Sequence, residues 1–291
     1  MAKILIAGLN PAWQQVFRLP GFRGGAVNRA DAFWSLGSGK GLNVAKVLAR
    51  RGHQVHLLQV LAGENGKRVR VACDAEGIHG LEAWAEGETR VCVTLLRDGE
   101  VDEVIAPFHV DDKAVSARLL EQVPLGCDAM VVCGSVPSGV PEKILGEIAL
   151  RAGAPLLVWD SVSGLSPEIL PRVSWLKVNA AEHRAMSPML EASSARPSLL
   201  ITDGVDAARL RTAEGNWTSK PPRVENVVNP IGAGDAAAAI FVDGILRGRG
   251  PLAAASAALA AASASCLNPL PTEWDSADAA RFERELRWEK E

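Results

Sequence analysis

Two glycine turns, one holding an acid and the other a lysine, carry the chemistry this sequence can offer. The first is Asn229-Pro230-Ile231-Gly232-Ala233-Gly234-Asp235, followed by four alanines, Ile240 and Phe241. Gly232, Ala233 and Gly234 let the backbone turn tightly and gather several N–H groups at one point. A helix starting near Asp235 aims its unpaired N–H groups and positive dipole end at the same point, which suits a phosphate or a developing negative charge. A carboxylate there repels an anion unless it has chemistry to do, and proton abstraction is that chemistry. Asp is also a good N-cap, and the local pattern leaves both roles open.

The second turn is Gly37-Ser38-Gly39-Lys40-Gly41-Leu42-Asn43, which runs into an amphipathic helix ending at Gly52. It is not a Walker A loop: Trp34 stands where the earlier glycine is required, and Gly41 follows Lys40 where Ser or Thr is required. Its G-x-G-x-G spacing is not the dinucleotide fingerprint either. What remains is a lysine among glycines at a helix N-terminus, a phosphate signal that a flexible loop with a solvated lysine explains equally.

Positioning these turns requires a sheet. Apolar strands are expected at Lys3 to Ala7, His56 to Ala62, Ala129 to Cys133, Pro155 to Trp159, Trp175 to Asn179 and Leu199 to Thr202. Helices are expected near Gly66 to Glu76, Asp112 to Gln122, Glu142 to Arg151 and Leu252 to Cys266, the last opened by Pro251. This alternation implies a mostly parallel sheet with helices on both faces. The strands end in small or polar residues (Gly8 and Asn10, Gly134-Ser135, Asp160-Ser161, Asn179, Thr202 and Gly204), and a parallel sheet gathers such ends at the edge where ligands bind. Two hairpins interrupt the alternation. One pairs Val16–Leu19 with Ala26–Ala30; the other pairs Thr89–Leu96 with Val101–Ile105. Together they could make one small sheet. The charged tail from Asp275 reads as a solvated helix.

The chain has 291 residues, enough for one large domain with an appendage. A net charge of −3 argues against a nucleic-acid partner, so an anionic ligand needs a local basic cluster. The five cysteines are scattered with no CxxC pair, which suggests neither a disulfide framework nor a zinc site. The apolar start is too short for a signal core or membrane span, so a cytoplasmic protein without a membrane partner is expected.

In order along the chain, these motifs resemble the PfkB, or ribokinase-like, carbohydrate kinases. Asn229 to Asp235 is similar to the C-terminal signature of that family. Leu9-Asn10-Pro11-Ala12, Val27-Asn28-Arg29, Gly39-Lys40-Gly41-Leu42-Asn43-Val44, Gly87-Glu88-Thr89-Arg90, Gly134-Ser135-Val136-Pro137-Ser138-Gly139 and Lys177-Val178-Asn179-Ala180-Ala181-Glu182 resemble its phosphosugar branch, the 1-phosphofructokinases and tagatose-6-phosphate kinases. The resemblance implies a three-layer α/β/α sandwich with a mostly parallel central sheet. It assigns residues 1–10, 37–85 and 108–291 to that core, and 11–36 and 86–107 to a β-sheet lid that covers substrate and joins a homodimer. It implies ATP-dependent phosphorylation of a ketohexose monophosphate, fructose 1-phosphate or tagatose 6-phosphate, to a bisphosphate, with Mg²⁺. Asp235 is then the general base, and Gly232, Ala233 and Gly234 the anion hole. Lys40 and Arg90 clamp the sugar's existing phosphate, assisted by Arg29 and Gly39. Asn43 and Gln14 face sugar hydroxyls. Asn179 and Glu182 act through water on Mg²⁺ and phosphate, and Thr202, Gly204 and Asn268 line the nucleotide site.

The pattern also departs from the family. Gln14 stands where its phosphosugar members have Asp, Val178 where they have Pro, Ser38 in place of a Gly, and Ala236 in place of Ser or Thr. A kinase for an unphosphorylated sugar or nucleoside, and a sugar-phosphate or nucleotide-binding protein without catalysis, are the alternative readings. Lys40 and Arg90 weigh against the first, and Gln14 motivates the second.

Overall fold

The computed structural model describes residues 1–291. In chain order its elements are β1 (Lys3–Ala7), β2 (Ala12–Arg18), β3 (Ala32–Ser38), α1 (Lys40–Arg50), β4 (Gln54–Ala62), α2 (Gly63–Ala75), β5 (His79–Ala85), β6 (Val91–Arg97) and β7 (Glu100–Ile105). There follow α3 (Val115–Glu121), β8 (Ala129–Cys133), α4 (Ile144–Ala152), β9 (Leu156–Asp160), β10 (Trp175–Asn179), α5 (Ala180–Ala192), β11 (Ser198–Thr202), β12 (Ala208–Thr212) and β13 (Gly215–Ser219). The chain closes with α6 (Ala233–Leu246), α7 (Pro251–Ser265), α8 (Ser276–Glu285) and β14 (Glu289–Lys290).

Ten strands form one sheet in the order β14-β13-β12-β11-β10-β9-β8-β1-β4-β5. From β11 to β5 all neighbours are parallel; β12, β13 and β14 add an antiparallel edge. The apolar runs are continuous because both faces are covered. Ile4 and Ile6 of β1 face one core with α1, α6 and α7; Leu5 and Ala7 face the other with α3, α4 and α5. The chain leaves β1 for β4 on one side and reaches β8 on the other, so the sheet reverses direction of growth at β1. Ligands of open α/β sheets bind at the carboxyl edge of such a point. No helix is long and apolar enough to cross a membrane.

The two hairpins do make one small sheet, in the order β3-β2-β6-β7, with β2 and β6 parallel at its centre. The partner arm of β2 lies further along than expected, at Ala32–Ser38, while Ala26–Ala30 is loop. The glycine-flanked stretch offers little side-chain surface to a strand; Phe33-Trp34-Ser35-Leu36 offers aromatic and aliphatic pairs, and Phe33 packs its ring 4.8 Å from that of Phe17. Gly37 and Ser38 are therefore the end of a strand rather than a loop. Four strands carried no expectation: β5, the β12–β13 hairpin and β14. The last helix is not fully solvated. Phe282 and Leu286 are buried against α7, Ala208 and one another.

Candidate active site

The site starts from a backbone contact. Gly8, just past β1, and Gly41, in the first turn of α1, touch so closely that a Cβ on either would lie 2.4 Å from the other's Cα. Any side chain there would push α1 off the sheet edge. The contact sets Lys40 and Asn43 over the carboxyl ends of β1, β8 and β9.

Lys40 donates from Nζ to Asp160 Oδ1 at 3.0 Å, and Lys177 Nζ reaches Asp160 Oδ2 at 3.3 Å. Asp160, at the end of β9, is fully buried, and Lys177 nearly so. One carboxylate thus holds two ammonium groups, the arrangement that makes buried charges tolerable. Burial alone would push Lys40 down, but Asp160, Asp235 and Glu182 outweigh it and hold the ammonium above the usual lysine value. Lys177 also sits behind the Gly232–Gly234 turn: a Cβ on Gly234 would be 3.3 Å from its Nζ.

That turn precedes α6, and its geometry decides between the two roles left open for Asp235. The N-cap is Gly232, at φ 86°, and Asp235 lies inside the first helical turn with no capping bond. Gly232 takes a left-handed backbone, and any side chain on it would strike Pro271. The N–H groups of Ala233 and Asp235 are taken by the carbonyls of Pro230 and Gly232. Those of Gly232 and Gly234 have no partner within the protein and are the free donors of this turn. Asn229 fixes the turn: its Oδ1 accepts from Ile231 N–H at 3.0 Å and its Nδ2 donates to the Pro269 carbonyl at 2.9 Å.

Asp235 is buried, and one side chain is hydrogen-bonded to it. Asn43 Nδ2 donates to Oδ2 at 2.8 Å, and Ser38 donates to Asn43 Oδ1 at 3.2 Å. Ser38, a departure from the family pattern, therefore orients the amide that holds Asp235. Burial raises the Asp235 carboxyl to about 6, against the opposing pull of Lys40 and Asn43. A carboxylate in that range is ionised at neutral pH and still basic enough to take a proton.

Beyond the turn lies a cleft of about 840 Å³, lined by Ala233 and Gly234 at one end and by Thr202, Gly204, Lys220 and Arg223 further out. It has the size of a small-molecule site. Lys220 and Arg223 follow the unexpected β12–β13 hairpin, and no sequence signal singled them out; nor did one single out Asp160 or Lys177 as partners of Lys40.

The other expected residues divide. Arg90, at the foot of β6, donates to the carbonyls of Asn10 and Pro11 at 2.8 and 3.3 Å, beside the β1 edge. Gly39 caps α1 next to Lys40. Gln14 is buried in the small sheet and donates to Thr94 Oγ1 at 2.7 Å. Arg29 lies in the exposed loop between β2 and β3 and forms no hydrogen bond or ion pair. Asn268 accepts from Leu270 N–H in a local turn and does not line the cleft. Asn179 and Glu182 form a complete capping box at the start of α5, each side chain accepting from the other's N–H at 2.8 Å. The box leaves Glu182 Oε1 and Asn179 Nδ2 without protein partners. No group of three or more His, Cys, Asp or Glu side chains is placed to hold a metal. Mg²⁺ carried on nucleotide phosphates with its own waters needs no such group, and the free Glu182 Oε1 and Asn179 Nδ2 fit contact with those waters.

Residues 12–276 match the model of the pfkB family carbohydrate kinases. The chain belongs to this family. It is 31% identical over 258 residues to the 1-phosphofructokinase of Escherichia coli K12, covering 82% of each chain. It is 33% identical over 190 residues to that of Rhodobacter capsulatus, covering 62% of this chain and 60% of the relative. Among solved structures, phosphofructokinase-2 of Escherichia coli in complex with potassium superposes with a TM-score of 0.81 at 20% identity, over 98% of this chain and 99% of that one. Ribokinase from Thermotoga maritima superposes with a TM-score of 0.75 at 16% identity, over 98% and 100%. The fold is thus the ribokinase-like sandwich with its additional small sheet, and the chain is a carbohydrate kinase. Membership in a kinase family implies ATP as phosphoryl donor.

Proposed function

We propose that this kinase transfers the γ-phosphoryl group of ATP to a hydroxyl of a ketohexose monophosphate, giving a bisphosphate. Fructose 1-phosphate is the leading acceptor, in keeping with the names of the relatives, and tagatose 6-phosphate the second. What supports this reading is that Asp235 directly follows the free N–H groups of Gly232 and Gly234 in the chain, and that Lys40 acts on its carboxyl. Arg90, on the Asn10 and Pro11 carbonyls past β1, is the second basic group of that sheet edge.

In this mechanism Asp235 takes the proton of the acceptor hydroxyl through its free Oδ1 as the oxygen attacks the γ-phosphorus; ADP leaves. Asn43 holds the carboxylate's other oxygen. Gly232 and Gly234 N–H groups receive the charge that builds on the transferring phosphoryl oxygens, and Ala233 shapes the turn between them. Phosphoryl transfer needs mainly positioning and charge neutralisation, which these groups supply. Mg²⁺ carried on the nucleotide would supply neutralisation of phosphate charge, and Asn179 and Glu182 would hold it through its waters. Thr202 and Gly204 line the nucleotide cleft. Lys40 meets the acceptor's phosphate as a point charge and Arg90 as a fork. The small sheet, residues 11–36 and 86–107, serves as a lid over the core of 1–10, 37–85 and 108–291 and excludes water, the competing acceptor. Phe33, Val104 and Ile105, more than half exposed on that sheet, support a homodimer through it.

The test is a coupled ADP-release assay over fructose 1-phosphate, tagatose 6-phosphate, fructose 6-phosphate and the free sugars. A phosphosugar should be preferred, and Lys40→Ala or Arg90→Ala should raise its KM at least tenfold more than that of ATP, as expected for loss of one charged contact. Equal effects on both substrates would overturn the clamp. Gln14, tied to Thr94 and uncharged, favours a second reading, a sugar-phosphate-binding protein without turnover. Calorimetric binding with no ADP release from any acceptor would establish it.

A further inference from the structure

The large sheet extends past the helix that covers it. α5 lies over β10 and β11, while β12 and β13 run on beyond it. Leu210 of β12 packs into the core on the α7 side, and its neighbour across the ladder, Trp217, packs against that core. By strand alternation Arg209, Arg211, Asn216 and Thr218 face the α5 side, in register with Leu199 and Ile201 of β11. A cavity of about 580 Å³ fills the space between this ladder and α5. His183, Ser187, Arg196, Arg211, Thr212 and Asn216 give its polar wall, and Leu190, Ala195 and Pro197 an apolar one.

The charges around it are uncompensated. Arg18, Arg50, Arg51, Arg97, Arg118, Arg247 and Arg281 each hold a carboxylate within 3.0 Å. Arg209 and Arg211, by contrast, make no salt bridge, and Arg196 donates only to the carbonyls of Ser193 and Ala195. Glu191 is the one carboxylate on the cavity wall, and it too is unpaired. Burial, then Arg211 and Arg209, hold His183 below the usual histidine value, so it stands as a neutral donor or acceptor. Several guanidinium groups around one concave, partly apolar space make a positive focus. Forked guanidinium donors match phosphate and carboxylate oxygens. The site lies across the sheet from α7 and apart from the nucleotide cleft: Ser198 and Leu199 at the start of β11 line the one, Thr202 at its end the other.

We propose that this cavity is a second ligand site, for a small organic anion bearing phosphate or carboxylate groups, with Arg211 and Arg196 as its charged contacts and Leu190 and Pro197 against its carbon skeleton. Nothing in it depends on the identity of the sugar acceptor. The test is calorimetry on the full chain with inorganic phosphate and, separately, citrate. The background is the Lys40→Ala/Arg90→Ala double variant, which removes the phosphate clamp of the active site. Saturable binding of either anion, weakened about tenfold or more by a further Arg211→Ala, is the expected result. Arg211 is exposed, and an unchanged melting temperature of the variant will show that it folds; Arg196→Ala is the independent second variant. Binding of neither anion up to about ten times a millimolar Kd, or binding indifferent to both arginines, overturns the proposal.

Discussion

Helix α6 carries two buried aspartates with opposite behaviour. Asp243 is surrounded by hydrogen-bonded donors. Arg247 Nε donates at 2.6 Å, Arg51 Nε at 3.0 Å, and His53 Nε2 at 2.9 Å, its Nδ1 being occupied by Ala2 N–H. Burial raises its carboxyl, but these contacts outweigh it and hold Asp243 below the ordinary aspartate value. Asp235 has a single neutral donor, Asn43, and burial prevails. Lys40 and Lys177, the cations that pull against this shift, are both paired with Asp160, whose own charge adds to it. A basic carboxylate in a cationic site is thus supported by a second carboxylate that pairs with the cations and adds its own charge.

Exchanging each aspartate for asparagine separates the two environments. Asp235→Asn should lower kcat by about 10²–10⁴-fold, the range for loss of a general base. Its melting temperature should rise. With its carboxyl raised from 3.8 to about 6, ionisation of Asp235 opposes folding, and this cost appears as pH rises through that window. The neutral amide avoids it. Asp243→Asn should do the reverse, leaving kcat within a few-fold and costing about 1–3 kcal/mol, because Arg51, Arg247 and His53 lose their shared acceptor. Its carboxyl is depressed, so the contribution it makes is present at neutral pH and fades in acid as pH falls through the folded value. Thermal melts and steady-state kinetics on both variants decide the comparison. Unchanged kcat in Asp235→Asn would return that residue to a structural role.

The next prediction concerns Asp160. Asp160→Asn frees Lys40 and Lys177 from their shared acceptor and removes a negative charge that raises Asp235. The base should become more acidic. In the intact enzyme kcat/KM should fall tenfold per pH unit below about 6, where Asp235 takes up its proton. In Asp160→Asn that acid limb should move to lower pH, and the plateau rate should drop up to about tenfold for each unit by which the base weakens. A pH–rate profile with its limb unmoved would show that Asp160 does not set the basicity of Asp235.

How much of this could be read from residue order differs between the two turns and what joins them. The parallel strands were legible because each is an apolar run bounded by turn residues, and their polar ends marked the ligand edge. The turns stood out by their glycine clusters beside Asp235 and Lys40, but the local pattern alone left the roles of both residues open. The β12–β13 hairpin was not, since Ala-Arg-Leu-Arg-Thr and Gly-Asn-Trp-Thr-Ser carry a weak alternating pattern with charged residues on one face. The Asp160–Lys177 pair was hidden for a different reason. Its residues sit 17 positions apart on consecutive strands, and only the β9–β10 register brings them together. The arm paired to β2 was misplaced because Gly-rich sequence reads as a turn wherever it falls, while the cross-strand contact of Phe17 with Phe33 is a tertiary fact.

The smallest expected effect tests whether a capping residue also serves the chemistry. Asn179 and Glu182 complete a capping box, so either reading of the motif, helix start or phosphate-water contact, has a structural basis. The two functions use different atoms. The box engages Glu182 Oε2 and Asn179 Oδ1; Oε1 and Nδ2 remain free. Glu182→Gln keeps an acceptor for the Asn179 N–H and removes the charge, so stability should change by less than about 1 kcal/mol. The charge also acts on Lys40, among the groups that hold its ammonium in place. If Glu182 orients Mg²⁺-bound water, Glu182→Gln should raise the Mg²⁺ concentration needed for half-maximal rate by several-fold, with the KM for sugar phosphate little changed. Asn179→Ala should instead cost about 1 kcal/mol through loss of the cap. A Mg²⁺ titration of Glu182→Gln identical to that of the unaltered enzyme would leave the motif as a helix start alone.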